Sequence, residues 1–204
     1  MRIDRTLMTL VAMSLASVPS VAVHAQASNN MPLDGPLVQG VCLLSREAIF
    51  ANAKVGVAAS SRLKQLAQQA QGEIDAERKP IDADVQAYRS QAASLPADQR
   101  QSREQALAQR MQVVQSDETL RGKELEATRV KAMDQIAQYA QPVIVSAYRN
   151  KNCGLLLGRN AVLGGNMAND ITAAVVQGLD AKVTTISFNL ETLPASSALT
   201  STTP

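Results

Sequence analysis

The chain has 204 residues, of which 46% are hydrophobic but only 2% aromatic, and its formal net charge is +2. Alanine alone accounts for 32 residues, and tryptophan is absent. Because aromatic side chains supply the largest buried area per residue, this composition argues against one large globular core. Alanine, glutamine and charged residues favour long, thin helices attached to a small core. The nearly balanced charge excludes a strong general attraction to nucleic acid.

The N-terminal residues 1–27 have the pattern of a secretory signal peptide. Arg2 and Arg5 precede an interrupted apolar stretch, and small-x-small cleavage sites end at Ala25 and Ala27. The apolar stretch is too short for a membrane span, which needs about 20 residues. The sequence therefore predicts export of the protein and cleavage of the signal near Ala25 or Ala27.

Cleavage removes His24, which is the only histidine of the chain. The mature chain then offers no Ser–His or Cys–His catalytic arrangement. With Cys42 and Cys153 as the two cysteines, one chain cannot assemble a usual zinc site either. We therefore expect neither an enzyme nor a metal or other cofactor.

A short mixed segment follows the signal. Residues 28–37 are predicted to be a mobile polar leader, and the apolar run inside 38–45 predicts a buried strand. Residues 46–54 are typical of a short helix, and Gly56 is predicted to separate it from the next element.

Residues 57–94 have the pattern of one long helix. Its apolar positions are spaced by three and four residues, and the pattern repeats every eleven residues. They are Leu63, Leu66, Ala70, Ile74, Ile81, Val85, Tyr88, Ala92 and Leu95, interrupted at Glu77. An eleven-residue repeat gives a nearly straight seam. Because the seam is about one side chain wide, the helix is predicted to pair with a single partner.

The partner is predicted to be a second helix that runs from about Pro96 to Asn150, with Ser94 as its cap. Its seam is weaker and consists of Leu107, Met111, Val114, Leu125, Met133, Ile136, Ala140, Ile144 and Ala147, interrupted at Glu118 and Arg121. Two helices joined by a tight break form an antiparallel hairpin. Its tip is expected near residues 94–98, about 55–60 Å from its base.

Three residues weaken these helices. Pro80 removes a backbone hydrogen bond and is predicted to kink its helix. Gly72 and Gly122 each cost stability in a helix interior. Local flexibility is the functional interpretation, and simple tolerance of weak positions is the alternative.

The pattern changes again after residue 150. Residues 153–158 form a second apolar run, followed by a turn and edge segment at 160–166. Asn169 or Asp170 is predicted to cap a helix over 171–179. Alternation over 183–190 predicts a half-buried strand, and residues 191–204 are predicted to be disordered.

The predicted fold class is α+β. Residues 38–56 and 143–190 form a small β-rich oligomerisation body, and residues 57–142 form a helical coiled-coil hairpin, called the arm, inserted between its strands.

At this point the residues resemble a known family. The strand Val41-Cys42-Leu43-Leu44, the helix with Ile49-Phe50, the opening Lys54-Val55-Gly56-Val57-Ala58 and the closing segment from Asn150 to Leu179 are similar to the Skp (OmpH) family of periplasmic chaperones. The resemblance spans about residues 38–182. It implies a homotrimer with a central β-body whose three arms enclose a cavity. It also implies an ATP-independent periplasmic holdase that binds unfolded outer-membrane proteins and prevents their aggregation.

The small body independently favours oligomerisation. A core of this size seldom supplies more than about 3–5 kcal/mol, and its strands would leave open edges. Packing between subunits around Val41, Leu43, Leu155 and Leu157 would close those edges.

Candidate client-binding residues lie toward the arm tip. They are Val85, Tyr88, Leu95, Leu107, Met111 and Val114. The alternative is that these side chains only pair the two helices. Arg89, Arg100 and Arg103 cluster near the tip. Yet residues 57–149 carry 13 basic against 12 acidic residues, so strong binding to membranes or lipopolysaccharide is not favoured.

Two alternatives stay open. Cys42 and Cys153 begin two predicted strands, and in an exported protein they form either a disulfide or two buried thiols. The hairpin could also belong to a coiled-coil structural or adaptor protein of the cell envelope that docks into one specific partner.

Overall fold

A computed structural model describes residues 31–33 and 35–194. The predicted signal peptide and residues 195–204 of the predicted tail lie outside the described residues. The strands are β1 (Met31–Pro32), β2 (Val41–Leu44), β3 (Leu155–Gly158) and β4 (Gly164–Gly165). The α-helices are α1 (Arg46–Asn52), α2 (Lys54–Gln91), α3 (Ala97–Asn150) and α4 (Thr172–Asp180).

The body is built from two small parallel sheets and two short helices. Strand β2 pairs with β3, and Val41 lies opposite Leu155. Strand β1 pairs with β4, so part of the leader predicted to be mobile is instead a strand. Both sheets have two strands within the described part of the chain, and the body is therefore less β-rich than predicted.

Residues 183–194, called the strap, differ from the prediction. Residues 183–190 form no strand, although the alternation was read correctly: Ile186 is buried, and Phe188 and Leu190 are half-buried. The apolar side chains face the hairpin core instead of a sheet partner. The prediction of disorder from residue 191 is also wrong for residues 191–194, because backbone N–H groups there are hydrogen-bonded to α3.

The break between α1 and α2 lies at Ala53 rather than at Gly56. Ala53 has an extended backbone (ψ 141°) and is fully buried. Gly56 lies inside α2, where an added Cβ would stand 2.0 Å from the carbonyl oxygen of Phe50. Glycine is therefore needed for the close approach of two helices, not for a turn.

Helices α2 and α3 pack against each other along the arm. Leu66, Ala70, Ile74 and Ile81 are buried along α2, as the eleven-residue pattern predicted. The helix assignment continues through Pro80. Helix α3 also contains Pro142, a helix-weakening residue that the sequence analysis did not single out.

The start of α3 is not capped by Ser94. The Ser94 hydroxyl donates to the carbonyl oxygen of Gln91 (2.8 Å), and Pro96 occupies the N-cap position without a side-chain hydrogen bond. In contrast, Asp170 does accept from the backbone N–H of Thr172 (2.8 Å) at the start of α4. The Asn169 amide donates to the carbonyl oxygens of Val38 and Val41 instead.

The seam of α3 is only partly the predicted one. Its buried residues are Val114, Glu124, Thr128, Ala132, Ile136, Ala140 and Val143. Glu124 and Thr128 escaped prediction because an apolar pattern passes over polar residues whose hydrogen bonds are made by a distant segment. Leu125 and Met133, which were assigned to the seam, are only half-buried.

The main core lies where the hairpin joins the body. Its buried members are Cys42, Leu44, Ile49, Ala53, Val55, Ala59, Ala132, Ile136, Ala140, Val143, Ile171, Val175, Leu179 and Ile186. Helix α3 thus enters the main core at Ala132, whereas the body was predicted to begin at residue 143. A second, smaller cluster of Ile74, Ile81 and Val114 lies farther along the arm.

Candidate functional site

The base of the arm is closed by a disulfide between Cys42 and Cys153. Their Cα atoms are 5.7 Å apart, and 111 residues separate them in the chain. Cys42 lies in β2, and Cys153 precedes β3, so the bond joins the two segments from which the hairpin leaves the body. The structure therefore has the disulfide and not the two buried thiols.

The predicted oligomer-interface residues divide into two groups. Leu43 is 7% exposed, and its carbonyl oxygen accepts from the Ile171 N–H (2.9 Å), so its side chain is unavailable to another subunit. Leu155 is 51% exposed on β3, and Val41 and Leu157 are half-buried. Among the described residues β3 pairs with β2 alone, which leaves its outer edge open.

The candidate client-binding residues are largely used inside the arm. Val114 is buried against Ile74 and Ile81, which matches the alternative that it pairs the two helices. Val85 and Met111 pack against the same cluster. Leu95 and Leu107 are half-buried nearer the tip.

Tyr88 also connects the two helices. Its phenolic O–H donates to the Glu104 carboxylate on α3. This hydrogen bond, together with desolvation and the negative charge of Glu104, raises the pKa of Tyr88 above its ordinary value. Tyr88 therefore links α2 to α3 near the tip through a polar contact.

The predicted tip arginines Arg89, Arg100 and Arg103 are exposed. Arg103 donates to the side-chain oxygen of Gln91 across the hairpin (3.3 Å). Such exposed contacts contribute little stability individually.

An apolar groove at the arm root is lined by residues of α1, α2 and α3. It has a volume of about 660 Å³. Its apolar lining includes Phe50, Leu63, Met133, Ala137 and Ile144, and charged side chains of both signs lie among the lining residues, Arg46, Glu47, Arg129 and Asp134. The sequence pattern does not predict this groove, because its lining residues belong to three helices that meet only in the folded chain.

A buried polar cluster lies farther along the hairpin. Glu124 is 2% exposed and accepts from Arg121 (2.8 Å), which also pairs with Glu73 on α2 (3.2 Å). The hydrogen bond to Glu124 is the main cause that raises the pKa of Arg121. The charge of Glu124 is thus compensated by a cation held by both helices.

Two features are absent from the described part of the chain. None of its helices combines the length and apolarity of a membrane span. No group of three or more histidine, cysteine, aspartate or glutamate side chains there is arranged to hold a metal ion.

Comparison with known proteins defines the relationship. The family model of outer membrane protein (OmpH-like) matches residues 40–179, which include β2, β3, β4, the whole hairpin and all but the last residue of α4. The chain belongs to the OmpH-like family. The match ends before residue 183, so the strap lies beyond the residues shared with the OmpH-like model.

A solved structure supports the same assignment. It is a crystal structure of an OmpH-like protein from Caulobacter crescentus CB15, described as a candidate outer membrane chaperone. The two chains are 34% identical, with a TM-score of 0.69, and the alignment covers 80% of this chain and 96% of the other. No protein of curated function matches the chain significantly.

Proposed function

We propose that this protein is a periplasmic, ATP-independent holdase that binds unfolded outer-membrane proteins and prevents their aggregation. Membership of the OmpH-like family and the long arm on a disulfide-closed body carry this proposal. The proposal assigns the chain no catalytic role and no cofactor. Its periplasmic location rests on the predicted signal peptide and on the family.

We propose that clients contact the arm face that contains the apolar groove. The seam residues are occupied in pairing α2 with α3, whereas Met133 and Leu63 line an open surface. A flexible methionine adapts to varied apolar partners. Because the lining carries both positive and negative side chains, it excludes neither acidic nor basic client segments. Many weak contacts on several arms would supply the affinity.

The proposed assembly is a homotrimer in which the bodies join through the open edge of β3. Leu155 is half exposed there, and an unpaired strand edge with an apolar side chain favours association. We expect the mature protein to sediment as an oligomer at micromolar concentration. A monomer under those conditions would contradict the proposed trimer.

The function is tested by aggregation suppression. A urea-unfolded outer-membrane β-barrel protein is diluted into buffer that contains one trimer of the mature protein per barrel protein. Aggregation is followed by light scattering. We expect the barrel protein to stay soluble. An unrelated unfolded soluble protein serves as a second client and measures how general the binding is.

A pair of variants tests the groove. Met133→Glu places a charge in the groove, and Val130→Glu adds the same charge at a nearby α3 residue that is 49% exposed. We expect suppression to weaken several-fold only with Met133→Glu, with helicity checked by circular dichroism. Failure of the wild-type protein to keep the barrel protein soluble would favour the envelope adaptor instead.

A further inference from the structure

The strap does not end at the body but continues along the arm. Just before the strap, Asp180 at the end of α4 accepts from the Lys54 N–H (2.7 Å), which places the end of α4 beside the first turn of α2. Ile186 is then buried in the main core. Arg62 of α2 donates to the carbonyl oxygen of Phe188 (3.4 Å), so the strap lies against the arm root.

The far end of the strap is held by buried side chains of α3, a set of contacts called the latch. The Glu191 N–H donates to the Thr128 hydroxyl (2.8 Å), and the Leu193 N–H donates to the Glu124 carboxylate (3.1 Å). Thr128 and Glu124 are only 1% and 2% exposed. Lys131 adds an ion pair with Glu191 (2.7 Å). The latch explains why Glu124 and Thr128 are polar although they are buried in the seam, which helix pairing alone does not explain.

The latch is connected to both helices at one height of the arm. Arg121 joins Glu124 to Glu73 of α2. The strap contacts α2 at Arg62, and the latch lies at the level of Glu73, which is about 16 Å farther along α2 at 1.5 Å per residue. Glu73 lies near the middle of the 38-residue helix.

Two glycines lie at the height of the latch. Gly72 precedes Glu73 on α2, and Gly122 follows Arg121 on α3. No described atom lies within 4 Å of a Cβ built at either position, so packing does not require glycine. Because glycine lowers helix stability, each of the two helices has a weak position at this level.

We propose that the strap is a brace that keeps the root half of the arm rigid and confines bending to the level of Gly72 and Gly122. The core and the latch hold the root half from two ends, whereas helix pairing alone holds the described tip half. The brace lies outside the residues that match the family model. It concerns the mechanics of the arm and does not depend on the proposed chaperone function.

The experiment is amide hydrogen exchange with mass spectrometry on the full chain. The double variant Glu124→Met/Thr128→Val removes both acceptors of the latch while keeping helix-compatible apolar side chains. The control Glu118→Met removes the Arg78–Glu118 ion pair of the tip half and leaves the latch intact. Circular dichroism checks that all variants remain helical.

We expect the amides of residues 191 and 193 to be protected in the wild type and to exchange at least about tenfold faster in the double variant. Root-half amides of α2 and α3 should then exchange several-fold faster, and the control should leave them unchanged. If the strap amides exchange faster in the double variant but the exchange rates of the root-half amides of α2 and α3 do not change, the proposed brace is wrong.

Two milder variants keep the proposal testable if the double variant loses its helical fold. Thr128→Val removes one acceptor and should give the same pattern with a smaller change. Gly72→Ala/Gly122→Ala should slow exchange selectively around residues 70–76 and 120–126. Unchanged exchange there would overturn the assignment of the bending level.

Discussion

At the scale of single residues, the Tyr88–Glu104 contact makes a pH-dependent contribution. The carboxylate raises the pKa of Tyr88 in the folded protein, so folding favours the protonated phenol. The stabilising contribution is therefore complete below the ordinary tyrosine pKa of about 10 and is lost as the pH rises through the raised value.

The prediction is tested by titrating phenolate absorbance at 295 nm. Glu104→Ala should move one of the three tyrosines to a lower pKa, because it removes both the hydrogen bond and the nearby negative charge. Glu126→Ala, which removes an exposed carboxylate paired with Arg129, is the control and should leave the curve unchanged. Equal titration curves for all three proteins would contradict the predicted shift.

Neighbouring valines separate seam from surface. Val114 packs against Ile74 and Ile81 and is only 3% exposed, whereas Val113 is 59% exposed. Val114→Ala should lower the free energy of unfolding by about 2 kcal/mol, since it removes two buried methyl groups and leaves a cavity. Val113→Ala should change it by less than about 0.5 kcal/mol. Urea unfolding, monitored by circular dichroism, measures the free energy of unfolding of both variants. Equal losses would contradict the assignment of Val114 to the seam and of Val113 to the surface.

At the scale of elements, glycines in the same helical hairpin have opposite roles. Gly122→Ala should stabilise the protein by about 1 kcal/mol, because an alanine methyl meets open space there. Gly56→Ala should strongly destabilise it, because the added Cβ would collide with the Phe50 carbonyl oxygen. Thermal unfolding should show a higher Tm for the first variant and a lower one for the second. A lower Tm for Gly122→Ala would mean that alanine is not tolerated there.

Helix pairing and the strap also differ in how their polar residues are used. Exposed ion pairs such as Arg78–Glu118 and Arg110–Asp84 cross from helix to helix and contribute little each. Glu124 is different, because a buried carboxylate without its partners would be costly. The latch therefore binds the strap more selectively than apolar contact alone would.

At the scale of the whole molecule, the disulfide defines how the arm is attached. Cys42→Ser/Cys153→Ser opens a loop of 111 residues and should lower the free energy of unfolding by about 4–5 kcal/mol in the chain-entropy model. Urea unfolding of the variant and of the oxidised wild type measures the difference. A thiol titration under denaturing conditions that finds two free thiols in the unreduced wild type would contradict the disulfide.

The described body is too small to account for the fold by strands alone. Its two sheets have two strands each, and the main core is completed by α3 and by Ile186 of the strap. The exposed edge at Leu155 is where further burial is available, which agrees with the proposed association of subunits.

The sequence alone predicted two long helices with a break near residues 94–98 and two short body strands, whereas the parallel pairing of those strands came from the structure. These features depend on local periodicity: the eleven-residue pattern of α2, the break before Pro96 and two short apolar runs. It also led to the family, because the order of these elements is itself informative.

Only the tertiary structure decided where the distant segments meet. The seam roles of Glu124 and Thr128, the need for glycine at Gly56 and the course of the strap all depend on partners far away in the chain. Periodicity records which face of a helix is buried, but not which backbone N–H groups or carbonyl oxygens a later segment brings to it. Low aromatic content therefore predicts long, thin helices, whereas the contacts of the strap with the arm root are visible only in three dimensions.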